Sequence, residues 1–195
     1  MKNFILQDPK LLLYGFFIIF FASFGQTFFI SLFSDNIREH YNLTDGNFGF
    51  IYAVSTTLSS IALISFAKLI DHIDLRIYSS IVSIGLFAAC FGMFIYFNNV
   101  FFLFLIIFAL RFFGQGGMTH AGETTMARYF GENRGKAISF SAFGGMIGVM
   151  FLPFIVVKLT YSISYQNVWL IASLSLLFFI PFIFFILKDQ NERQK

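Results

Sequence analysis

Five side chains able to do chemistry stand inside one largely apolar run, residues 101–130: Arg111, Gln115, Thr119, His120 and Glu123. A guanidinium is a permanent cation with five donors, suited to carboxylate, phosphate or carbonyl oxygens. Arg111, Gln115 and Thr119 recur every four residues and therefore share one helix face. An arginine at mid-membrane costs about 2.5–3.5 kcal/mol on insertion scales and normally faces a partner or a water-filled cavity. The pattern predicts a solute-binding face in which Arg111 meets an anionic or carbonyl group. Its alternative is an arginine held by interhelical hydrogen bonds for structure alone. Imidazole as a side-chain type titrates near neutrality, so His120 is the candidate for carrying a coupling proton, with a hydrogen-bonded packing role as the alternative. Glu123 lies toward the membrane side that carries Asp71 and Arg76, so these three are predicted to form a charge network latching one gate state, with a solvated loop as the alternative.

Enzymatic chemistry finds no support in the same residues. No nucleophile–base constellation accompanies them, and GxSxG, HExxH, CxxC and GxxxxGK[ST] patterns are absent. No catalytic residue or cofactor is expected. His40 and His72 fall in loops on opposite sides of the membrane from one another, so no metal site is expected with His120. A single cysteine, Cys90, excludes an intrachain disulfide or a thiolate cluster. The net charge of +3 is too small and scattered for nucleic acid.

These side chains need walls. Of 195 residues, 57% are hydrophobic, only 12% are charged and 32 are Phe, too few charges to cover a soluble fold. Six apolar runs are each about the 20 residues that cross the hydrocarbon at 1.5 Å per residue. They predict one all-α transmembrane domain over residues 1–195, with spans at 11–34, 48–67, 77–97, 101–125, 137–157 and 168–187. The first is too long for a signal-peptide core and no small-residue cleavage site follows it. The second is rich in Ser and Thr (Ser55, Thr56, Thr57, Ser59, Ser60), which permits close helix approach or, alternatively, a polar lining. In the fifth, Gly144 and Gly148 make a packing groove for a neighbouring helix. Pro153 would kink that helix unless neighbours satisfy the freed carbonyl. Polar loops are expected at 35–47, 68–76, 128–136 and 158–167, with a minimal turn at Asn98-Asn99.

Six spans put both ends on one side. Loops and ends on that side hold ten basic residues (Lys2, Lys10, Lys68, Arg76, Arg128, Arg134, Lys136, Lys188, Arg193 and Lys195), against Arg38 and Lys158 opposite. The positive-inside rule then predicts cytoplasmic termini, in a plasma (inner) membrane.

The first and fourth spans also share a tripeptide, Phe24-Gly25-Gln26 and Phe113-Gly114-Gln115. Gln26 lies about 22 Å along its helix from the terminal side, and Gln115 about 21 Å along its own from the other. An axis in the membrane plane would exchange them, as inverted three-plus-three repeats require. Gln26 therefore joins Arg111, Gln115 and Thr119 as a candidate binding residue.

In sum of order and spacing, the chain resembles the amino-terminal six-helix half of a major facilitator superfamily transporter. That family's loop between its second and third helices reads roughly G-x-L-x-D-R-x-G-R-R/K. Here 67–76 matches at Leu69, Asp71 and Arg76 and departs at Ala67, His72, Asp74 and Leu75. Arg111 followed by Gly114 and Gly116 is similar to the family's fourth helix, and Gly144, Gly145, Gly148 and Pro153 to its fifth. The Gly-Pro pairing of antiporters is absent. Tyr129-Phe130 with Arg134, Gly135 and Ala137 is similar to its loop into the fifth helix. The resemblance implies a bundle of six helices, movement of a small solute by alternating access, and a second six-helix half or homodimer partner in the bilayer. The alternative is a membrane assembly or regulatory subunit that does not itself transport, or a fragment of a transporter.

Overall fold

A computed structural model describes residues 7–188, which are helical almost throughout. Lys2, Arg193 and Lys195, three of the basic residues assigned to the terminal side, lie outside these. Among the described residues six helical stretches are long and apolar enough to cross a membrane: Pro9–Ser31, Asp45–Asp71, Leu75–Ile95, Val100–Tyr129, Gly131–Thr160 and Tyr165–Ile186. They are called the first to sixth spans below.

Polar side chains set several of the starts. Asp8 accepts the Leu11 N–H at 3.2 Å, with Pro9 in the first turn where its missing donor costs nothing. Thr44 accepts from Asn47 N at 3.2 Å, Asp74 from Arg76 N at 2.7 Å and Asn99 from Phe101 N at 2.8 Å. These caps draw interfacial residues into the helices, so the second and third spans begin earlier than hydropathy alone suggests. The expected 128–136 loop is mostly helix as well: only a short turn at Gly131–Asn133 separates the fourth and fifth spans, with Gly131 at φ 45°. The expected outer loop at 35–47 holds a helix, Ser34–Tyr41.

The third span ends where Tyr96 adopts a left-handed backbone, φ 60°. That conformation disfavours a side chain with a Cβ, so neighbours must hold it. The Tyr96 ring lies 3.8 Å from that of His40 and 5.3 Å from that of Tyr165, and its hydroxyl donates to Asn36 O at 3.4 Å. This cluster ties the Ser34–Tyr41 helix to the end of the third span and the start of the sixth. Burial raises the Tyr96 phenol above its ordinary value of 10.0 and so keeps it neutral.

Helix pairing follows a pattern. The first span packs on the fifth and the fourth, the second on the fourth, and the third on the sixth and the fourth. Exchanging first with fourth, second with fifth and third with sixth maps first–fifth onto fourth–second and leaves first–fourth and third–sixth unchanged, as in an inverted three-plus-three arrangement; the third–fourth packing departs from it, its first–sixth counterpart being sparse. Small residues bring the first and fifth spans together: a Cβ on Gly144 would overlap the Phe16 carbonyl, and one on Gly148 the Ser23 hydroxyl. The predicted groove at Gly144 and Gly148 thus receives the first span. Pro153 sits within a helix that continues from Arg134 to Thr160.

Exposure is uneven. In the second span 11% of the most apolar window is buried, against 56% in the first and third. The fifth span likewise presents Phe143, Met146, Met150 and Phe154 outward. The second and fifth spans are therefore the faces that lipid or a partner must cover.

Candidate intramembrane binding site

Two helices lose their regular hydrogen-bond ladder at the same place. The first span passes through a 3₁₀ turn at Ser23–Gly25, becomes extended at Gln26 (φ −79°, ψ 153°) and resumes helix at Thr27–Ser31. The fourth widens into a π-helical stretch over Leu110–Met118. Such stretches recur at functional sites. Each irregular segment contains one copy of the shared tripeptide. The two glycines touch: a Cβ on Gly114 would stand 2.7 Å from Gly25 Cα, and one on Gly25 would stand 2.8 Å from Gly114 Cα. Only glycine lets these backbones approach so closely.

Arg111 is the second residue of the widened stretch and is 7% exposed. Its Nη1 donates to Gly25 O at 3.2 Å and to Thr27 Oγ1 at 3.1 Å, on either side of the break. The Tyr52 hydroxyl also donates to Thr27 Oγ1, at 2.9 Å, and the Tyr52 ring lies 5.5 Å from the guanidinium carbon. Thr27 is thus the meeting point of the first, second and fourth spans. Among the described residues no carboxylate pairs with Arg111.

Beside it lies a cavity of about 140 Å³ lined by Thr56, Ser59, Ser60, Leu63, Arg111, Gln115 and Gly116. Ser59 and Ser60 donate to Thr56 O at 2.8 and 2.9 Å. Arg111 Nε, Gln115 Oε1 and Thr56 Oγ1 are buried without a hydrogen-bond partner. Such groups cost free energy until something satisfies them.

Of the four residues expected to bind, the structure brings Arg111 and Gln115 into this cavity. Thr119 stands a turn further along with its hydroxyl buried and unpartnered, away from the lining. Gln26 is absent from the lining too: the extended residue shifts its place to Gly25 O and Thr27 Oγ1. Thr27 and Tyr52 carried no sequence signal, and Gly25 carried one only as part of the shared tripeptide, because their roles arise from the break. The hydroxyl-rich second span did carry one, and it divides: Thr56, Ser59 and Ser60 line the cavity, while Ser55 is buried and donates to Phe104 O at 3.2 Å.

The expected network of Asp71, Arg76 and Glu123 does not form. Asp71 pairs with Arg128 at the end of the fourth span. Arg76 folds back on Asp74, the cap of its own helix, at 2.8 Å. Glu123 is exposed and has no ion-pair partner among the described residues. The 3₁₀ turn at Ala67–Asp71 presents Asp71 to Arg128, and capping takes Asp74 and Arg76 together. His120 is hydrogen-bonded at both ring nitrogens, Nε2 with Ala67 O and Nδ1 with Thr124 Oγ1, each at 3.3 Å. An Nε2–H tautomer donating to the carbonyl and accepting the Thr124 proton satisfies the neutral ring. Both contacts are of the kind a hydrogen-bonded packing role would use.

Six apolar helices around a buried guanidinium that pairs with no described carboxylate define a polytopic membrane protein with an intramembrane polar site. The family model described as Major Facilitator Superfamily matches residues 15–195, and the chain belongs to that family, whose members are transporters rather than enzymes. No curated protein and no solved structure matched the chain.

Proposed function

We propose that this chain is a six-helix unit of a solute transporter, moving a small anionic or carbonyl-bearing solute by alternating access. The observation that carries it is Arg111: a buried guanidinium, unpaired by any described carboxylate, with Nε free beside a polar cavity. Intramembrane charge of this kind is functional by default. Arg111 holds the solute's charge and Gln115 orients it. The under-buried second and fifth spans support rocking against a second six-helix unit, either a separately encoded half, a copy of this chain or a further part of the same polypeptide. The excess of basic residues on the terminal side supports a plasma (inner) membrane location with both termini cytoplasmic.

The test is uptake of a panel of small anions and neutral carbonyl compounds into vesicles holding the purified chain, with and without a candidate partner half. Arg111→Gln is expected to lower uptake of the transported solute at least about tenfold, since a charge-assisted hydrogen bond is worth about 1.5–3 kcal/mol. Unchanged uptake in a correctly folded Arg111→Gln protein would leave Arg111 a structural residue.

A further inference from the structure

The cavity's unsatisfied atoms specify more than charge. From them we infer that the site is built for a small hydroxycarboxylate, an anion bearing a neutral hydroxyl donor next to its carboxylate; this rests on the reading of Arg111 as the solute's charge partner.

The site's complement can be read atom by atom. Arg111 Nε–H is a donor lacking an acceptor, and it belongs to a side chain more than nine-tenths buried. A carboxylate oxygen fits it. Gln115 Oε1 is the opposite case, a buried acceptor lacking a donor. A simple carboxylate cannot fill that role, because an ionised carboxylate only accepts. The ligand must bring an O–H or N–H of its own. Thr56 Oγ1, also unpartnered, serves either way and sits on the same wall.

Charge narrows the donor. The lining holds one cation and no carboxylate. An ammonium group would enter with nothing to balance it, whereas a hydroxyl brings no charge. Ser59 and Ser60 spend their protons on Thr56 O, so their oxygens face the cavity as further acceptors for a hydroxyl. Size narrows the class again: about 140 Å³ is well below the roughly 300–1,000 Å³ of pockets for drug-sized ligands. No aromatic ring lines the cavity, so a flat or greasy ligand gains little there.

The experiment compares two probes of equal charge and carbon count, lactate and propionate, which differ by one hydroxyl. Equilibrium binding of each radiolabelled compound is measured on the purified full chain in lipid nanodiscs. Lactate is expected to bind at least about tenfold more tightly, because a site built to receive a hydroxyl proton rejects an analogue that leaves its acceptor unpaired. Gln115→Met, close in volume, is expected to bring lactate down to the level at which that variant binds propionate. Arg111→Gln is expected to abolish binding of both. Equal affinity of wild type for the two probes would overturn the inference, since Gln115 would then present its N–H rather than its carbonyl. If that equality came with loss of both on Arg111→Gln, the charge-partner reading would survive alone. If neither probe bound, or Arg111→Gln bound them unchanged, both readings would fall. The wild-type comparison does not depend on any variant folding.

Discussion

Substituting Gly114 by Ala tests the site through its tightest contact. The added Cβ would stand 2.7 Å from Gly25 Cα and 3.0 Å from Gly25 N, whereas ordinary contact begins at 3.4 Å. Both obstructing atoms are backbone, so no side chain can swing aside. The first and fourth spans must separate by about 1 Å, and overpacking of this kind costs about 1–3 kcal/mol. The same movement would stretch the 3.2 Å Arg111–Gly25 bond past about 4 Å, beyond hydrogen-bond range. Two effects are therefore expected together: a thermal unfolding midpoint lower by a few to about 10 °C, and solute uptake reduced at least about tenfold. Gly49→Ala is the control. A Cβ there meets nothing within 4 Å, and the helical position should gain a few tenths of a kcal/mol to about 1 kcal/mol from alanine. Melting curves in one detergent, paired with vesicle uptake, read both quantities. A Gly114→Ala protein as stable and as active as Gly49→Ala would refute the claim that these backbones meet.

Thr27→Val removes the hydroxyl shared by Arg111 and Tyr52, whereas Thr27→Ser keeps it; labelling of a cysteine placed at Ser31 should speed up severalfold in the valine variant and stay unchanged in the serine one. Exchanging Asp71 and Arg128 should restore whatever uptake the single charge reversals lose, while the stability change stays within about 1 kcal/mol, as for other exposed pairs. Charge reversal of Glu123 should matter less than either. Tyr96 predicts a pH effect: its folded phenol titrates above the ordinary 10.0, so its contribution is complete below pH 10 and declines as pH rises beyond it. Tyr96→Phe should flatten that alkaline decline in a melting series from pH 8 to about 11.

Much of the scaffold was legible in the residues. Six apolar runs are an unambiguous signal because a bilayer demands length and hydropathy, and little else satisfies that demand. Arg111 stood out for the same reason, and Gly144 and Gly148 announced a close helix contact. The shared tripeptide marked Phe24-Gly25-Gln26 as a point of interest but not as a break in the helix, and only its meeting with the fourth span gives the break meaning. That is why Gln26 was expected where its neighbours Gly25 and Thr27 serve. The charge network pairs differently on other grounds. Which exposed ions pair is decided by loop shape, and capping by Asp74 captured Arg76 within two residues. The Ser34–Tyr41 helix escaped notice because it is polar on most of its surface and lies between spans, where hydropathy says only that a loop is present.

The tether through Thr27 has a thermodynamic corollary. Arg111 grips the short distal tip of the first span, and Tyr52 moors that tip to the second. On the proposed reading of Arg111 as the solute's charge partner, a solute that draws the guanidinium toward itself loosens the mooring by the same free energy that the mooring withholds from the solute. Occupancy at Arg111 and freedom of the Thr27–Ser31 tip would then be two ends of one lever, and a protein with its tip cut loose would grasp the solute more firmly while losing the means to sense its arrival.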